Sequence, residues 1–178
     1  MSKTFEQADD KTKRLVTQVR NEHHPGLRDN ALTIDVLMVA DIDEESGEVS
    51  PALKAHGYPA AATIAIVPLN RRALGQADAL LTIDTATWQG LGAAEQTALV
   101  DHELTHLQIK RRDNAVVRDD LGRPKLAMRL HDWQLGGFVD VARRHGESAI
   151  EVRAARACTS KGQYFWDFGP SKLRAVGS

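Results

Sequence analysis

The chain holds 178 residues, 42% hydrophobic and 26% charged, and its 23 Lys and Arg nearly balance 24 Asp and Glu to leave a net charge of −1. That length suffices for a sizeable core without disulfides or metal staples, and no apolar run is long enough to cross a bilayer, which excludes a membrane-embedded role. The single cysteine, Cys158, excludes a Cys-rich zinc module; with no apolar segment behind the opening charges, a cytoplasmic protein without a secretory signal is expected.

One domain is expected over residues 1–178, with an irregular tail from about 159 that carries Tyr164, Phe165, Trp166 and Phe168. Charge is mildly asymmetric: residues 1–90 hold 9 Lys and Arg against 13 Asp and Glu (−4), and residues 91–178 hold 14 against 11 (+3). A basic cluster at Lys110, Arg111 and Arg112 could touch nucleic acid, although cations at a helix end also suit the helix dipole.

Phe5, Ala8, Leu15, Val16 and Val19 recur at helical spacing and predict an amphipathic helix over residues 4–22, stopped at "HHPG". "LTIDVLMVAD" (32–41) is β-branched and apolar on both faces, as an inner strand should be, and the acidic loop after it ends the strand. "ATIAIVPL" (62–69) and "ALLTID" (79–84) predict two further strands of the same sheet. A helix is predicted from Ala93 to Lys110 with Gly92 as its N-cap. Leu99, His102, Glu103 and His106 share one face of it, while Val100, Leu104 and Leu107 can face the sheet. "AVVRDDLGRPKLAMRL" predicts a hairpin about "DDLGRP", and "HDWQLGGFVDVARRHG" and "ESAIEVRAARA" predict two more helices.

The fold class is therefore α+β: a mainly antiparallel or mixed sheet of 3–5 strands packed on an N-terminal helix and the 93–110 helix, followed by C-terminal helices. Inside the 93–110 helix "DHELTH" contains H-E-x-x-H. Histidines at i and i+4 stand about 5–6 Å apart, so both imidazoles can hold one zinc ion. Glu103 is rotated by about 100° from His102, which keeps it off the metal but within reach of a water there, the place of a general base in peptide hydrolysis.

A catalytic zinc needs a third protein ligand. The metzincin extension fails, because Ile109 and Arg112 stand where its glycine and histidine would be. Asp119 and Asp120 read better as turn residues, Glu147 and Glu151 are helix-borne alternatives, and His131 is the favoured candidate because the chain returning from the hairpin can bring it back to His102 and His106. Asp132 beside it could cap the next helix or orient a ligand. Gly136 and Gly137 would suit a close helix crossing there. His23, His24, His56 and His145 are expected at the surface, and Tyr58, His56, His145 and Tyr164 are all eligible to stabilise an oxyanion.

On "HHPGL", "GQADALLTIDTATWQGL", "ALVDHELTH", "GRPKL", "HDW" and "GFVDVARRHG", the chain resembles the phage metallopeptidase family and, more distantly, SprT-like and ImmA-like peptidases. The resemblance implies a minimal zincin-like domain encoded by a phage or prophage, Zn2+ as cofactor, and proteolysis of an intracellular protein or peptide. It also implies that His102 and His106 are metal ligands, Glu103 the catalytic base and His131 the third ligand. The substrate is expected to lie extended along an exposed sheet edge. The rival expectation is a catalytically silent zinc protein that binds a host protein or nucleic acid.

Overall fold

A computed structural model describes residues 2–55, 57–131 and 137–160, without the side chains of 158–160. In chain order the elements are β1 (Ser2–Gln7), α1 (Asp10–His23), α2 (Pro25–Asp29), β2 (Ile34–Ile42), β3 (Val49–Ser50), β4 (Lys54–Ala55), β5 (Tyr58–Pro59), β6 (Ala62–Ile66), α3 (Leu69–Ala73), β7 (Ala79–Asp84), α4 (Thr85–Gln89), α5 (Ala93–Thr105), β8 (Leu107–Ile109), β9 (Arg111–Arg112), β10 (Ala115–Val116), β11 (Leu126–Met128), α6 (Val139–His145) and α7 (Ile150–Ser160). The class is α+β, with a mixed sheet as expected. Its strand order is β1-β2-β7-β6, with β3 added to β2; β2 and β7 run parallel, and the other pairs are antiparallel.

The predicted helix over 4–22 is wrong at its start. Residues 2–7 form a strand against β2, in the register Ser2 with Ile42 to Gln7 with Leu37. The helix begins only where Asp9 caps it, its carboxylate accepting from the Thr12 amide at 2.7 Å. Phe5 fell on the helical period by coincidence; it is 58% exposed on the sheet's outer strand.

The main core lies where α1 and α5 meet the sheet: Val16 and Val19 from α1, Val36, Ile64, Leu81 and Ile83 from the strands, and Leu99, Val100 and Leu104 from α5. Val39, Ala52 and Leu53 form a smaller cluster, since successive strand residues point to opposite faces. Asp84, fully buried at the end of β7, ties this region together. One oxygen accepts from the Ala52 and Leu53 amides at 2.7 and 3.0 Å, and the other caps α4 through the Thr87 amide and hydroxyl at 2.9 and 2.8 Å.

α5 starts at its predicted N-cap, where the Gly92 amide donates to the Glu95 carboxylate at 2.9 Å. It stops at Thr105 rather than Lys110, because residues 107–109 leave the helix to pair with 126–128. The predicted turn is present: the Asp119 carboxylate accepts from the Leu121 and Arg123 amides, and Gly122 takes φ +74°, a conformation that favours glycine. Of the helix expected from residue 131, the described part begins only at Val139, where α6 starts; Phe138 before it is extended at φ −111° and ψ 128°. Gly136 lies outside the described residues.

Candidate metal centre

The early end of α5 builds the site. His106 closes the helix at φ −65° and ψ −22°, still helical, so it stays on the face of His102. The strand pairing that follows returns the chain, and the Arg129 amide donates to the His106 carbonyl at 2.7 Å, setting His131 beside both histidines.

His102, His106 and His131 each offer a ring nitrogen, all within 4.8 Å of one another. Their ring centroids stand 5.3, 5.1 and 4.6 Å apart, and Nε2 of His102 lies 3.1 Å from Nε2 of His131. Nitrogens sharing a tetrahedral zinc at about 2.0–2.1 Å would be roughly 3.3 Å apart.

The far sides of two rings are fixed. Nδ1 of His102 lies 2.8 Å from Oε1 of Glu151, and Nδ1 of His106 lies 2.8 Å from the Arg129 carbonyl oxygen. A carboxylate and a carbonyl can only accept, so each Nδ1 carries the proton and each Nε2 presents a lone pair to the centre. Burial also lowers the pKa of His106, which favours the neutral ring a metal requires. The donor set fits a zinc-type cation.

Phe138, fully buried, packs against all three imidazoles with centroids at 5.1, 4.8 and 5.0 Å, and its amide donates to the same Glu151 oxygen at 3.2 Å. Burial would raise the Glu151 pKa, but the bonds from His102 and the backbone outweigh it and hold the carboxylate ionised. Its Oε2 is buried without a partner among the described residues. Glu103 is 6% exposed, and burial pushes its carboxyl up to about 7, against the opposing pull of His102 and the Ile64 amide. A carboxyl poised there can both take and return a proton near neutrality.

Immediately before His102, fully buried Asp101 gathers three elements. His24 Nε2 at 2.8 Å and the Arg144 guanidinium share Oδ1, while His145 Nε2 at 2.6 Å and the same guanidinium share Oδ2; both Arg144 bonds measure 2.9 Å. Burial works against ionisation, yet these donors hold the carboxyl far below its usual range. His24 and His145 are thus not the plain surface residues that were expected.

Of the other sequence candidates, Glu151 approaches the site but on the outer nitrogen of His102. Glu147 is exposed and paired with Arg156, and Asp119 serves its turn and Arg72 at 2.9 Å. Asp120 is exposed, as are Arg111 and Arg112 on their short hairpin. Asp132, His56 and Tyr164 lie outside the described residues; Tyr58 stands at the rim of the cleft that opens beside the triad. Phe138, the Arg129 carbonyl and Asp101 were missed. Only Asp101, a carboxylate adjoining the motif, left any trace in the sequence.

In this mixed α+β domain two histidines and a buried glutamate at α5 meet a third histidine, His131, that follows β11. The chain matches the family described as Putative phage metallopeptidase over residues 3–158, and it belongs to that family. No curated protein and no solved structure matches it significantly. Among the described residues no helix is long and apolar enough to cross a membrane.

Proposed function

We propose that this protein is a zinc-dependent peptidase acting on an intracellular protein or peptide, encoded by a phage or prophage and working in the host cytoplasm. His102, His106 and His131 hold the ion through Nε2, and Glu103 is the general base. The observation that carries this is the convergence of three imidazoles, two of them with their outer nitrogens engaged elsewhere, beside a buried glutamate poised to exchange a proton. Bound there, zinc would supply Lewis acidity toward water and a peptide carbonyl.

The chain's own groups do the rest. Glu103 accepts a proton from the attacking water and returns it to the leaving amine. Glu151 keeps His102 in the tautomer with an unprotonated Nε2; Asp132, offered by the sequence as a cap or an orienting group, lies outside the described residues. β6 presents the substrate edge. Backbone bonds from Asp84 to Ala61 and from Val67 to Asp78 fix the alternation along β6, so Ala62, Ile64 and Ile66 point their backbone groups away from β7. Among the described residues β6 pairs with β7 alone, which leaves that edge, apart from the Ile64 amide held by Glu103, open to an added strand.

The test is metal content and cleavage together. Protein purified without chelator should carry about one zinc per chain and cut unfolded protein substrates, whereas Glu103→Gln should keep the zinc and lose cleavage. A metal-loaded wild-type protein that cuts nothing and instead binds a host protein or nucleic acid would replace this reading with that of a silent zinc protein.

A further inference from the structure

We infer that the cleft selects an extended peptide segment whose side chains on both sides of the scissile bond are apolar, an inference that rests on the peptidase reading above. The cleft encloses about 850 Å³ beside the triad. Every titratable side chain lining it among the described residues, Tyr58 at the rim aside, belongs to the site itself: the three histidines, Glu103 and Glu151. Glu151 is committed to His102 and Phe138, and Glu103 is buried at the reacting centre.

The remaining walls are apolar or small. On the sheet side stand Ala60 and Ala62, with Ile64 deeper; on the helix side α5 contributes Leu99 and α7 contributes Ile150 and Ala154. At the rim, Tyr58 is 76% exposed and Met128 43% exposed, apolar surface left uncovered on both banks. Large apolar groups in water beside an open strand edge mark a place that a partner covers. A main chain added along β6 would satisfy the outward backbone groups of Ala62 and the Ile64 carbonyl, while the Ile64 amide stays with Glu103. Its alternate side chains would then enter walls that, among the described residues, offer no charge outside the site itself. An aliphatic or aromatic side chain gains by leaving water there, whereas a carboxylate or ammonium loses its hydration with nothing in return.

The experiment separates this from the peptidase reading by measuring binding without turnover. Zinc-loaded Glu103→Gln protein is titrated with two fluorescein-labelled octapeptides that differ only in the central pair, Leu-Leu in one and Asp-Lys in the other. The Leu-Leu peptide should bind at least tenfold more tightly, and Ala154→Glu in the same background should narrow that gap by favouring the Lys-containing peptide. Equal affinities, or a preference for the charged peptide, overturn the inference whatever the enzyme does.

In parallel, wild-type protein is given a proteome-derived peptide library and the new termini are read by mass spectrometry. Cuts flanked by Leu, Ile, Val, Met, Phe or Ala at least tenfold more often than by Asp, Glu, Lys or Arg support the assignment. Cuts flanked equally by charged residues overturn it while leaving the peptidase intact, and a library left uncut by zinc-loaded protein overturns the peptidase reading instead.

Discussion

Nδ1 of His102 and Oε1 of Glu151 lie 2.8 Å apart across 49 residues of chain, and the Phe138 amide reaches the same oxygen at 3.2 Å. A helix that follows the motif by half the length of a small domain thus fixes which nitrogen of His102 faces the triad. Without an acceptor at Nδ1 the ring is free to rotate and to carry its proton on Nε2, which removes the lone pair a metal needs.

Glu151→Ala should therefore lower zinc affinity by about 10- to 100-fold, the usual effect of deleting a carboxylate that orients a ligating histidine. Glu151→Gln should fall between, because the amide oxygen can still accept from Nδ1. Competition with a chromophoric chelator measures both. Wild-type affinity in the Ala variant would show that the contact does not orient the ring for metal.

Asp101 makes a separate prediction about stability. It joins α5 to the start of α2 through His24 and to α6 through Arg144 and His145, so its loss leaves three donors facing one another without their acceptor. Asp101→Asn should cost roughly 3 kcal/mol in urea unfolding, the low end for breaking a buried charged pair, because Arg144 is a third exposed and can rehydrate. Arg144→Ala should cost less, since His24 and His145 remain on the carboxylate. A loss under about 0.5 kcal/mol for Asp101→Asn would mean that these bonds merely replace bonds to water.

Phe138 should behave as a core residue with a functional consequence. It is fully buried against all three imidazoles, so Phe138→Ala leaves a void beneath the triad and should destabilise by about 3–5 kcal/mol. Phe138→Leu keeps most of the volume and should cost under about 1.5 kcal/mol with metal affinity retained. Thermal unfolding of the metal-free variants, followed by zinc titration of those that stay folded, separates the packing loss from any effect on the histidines.

What could be read from the sequence depended on how local the signal was. The 79–84 strand and the N-cap of the motif helix follow from runs of apolar residues and from one glycine, and the structure places them where the sequence does. The pair His102 and His106 with Glu103 between is likewise a matter of spacing within two turns. β1 was misread because six residues with one aromatic carry no decisive period, and only pairing with β2 makes them a strand. The helix end at Thr105 was misread for a related reason: 107–109 leave the helix to meet 126–128, a partner 19 residues away. That pairing brings His131 to the site, which sequence could suggest but not place. The outer contacts of the histidines were hidden further, since a backbone carbonyl such as that of Arg129 has no sequence signature at all.

Asp84 gives the protein an acid limit that its site does not require. Burial alone would raise its pKa, but the Thr87, Leu53 and Ala52 bonds outweigh that and hold it below the ordinary aspartate value. In the unfolded chain an aspartate titrates near about 3.9. Because the folded value lies lower, the folded state binds fewer protons, and the stabilisation is fully present above about pH 5; it declines as pH falls through 4 toward the folded pKa. Asn at this position can accept on one side only, and its amide group would face the Ala52 and Leu53 donors. Asp84→Asn should therefore cost about 1–3 kcal/mol at pH 7, the penalty for leaving buried donors unmet. The difference between wild type and Asp84→Asn, measured by urea unfolding at several pH values, should shrink below pH 4 as the wild-type carboxylate gains its proton. A gap that stayed constant from pH 7 to pH 3 would show that the charge on Asp84 contributes nothing beyond the shape of its hydrogen bonds.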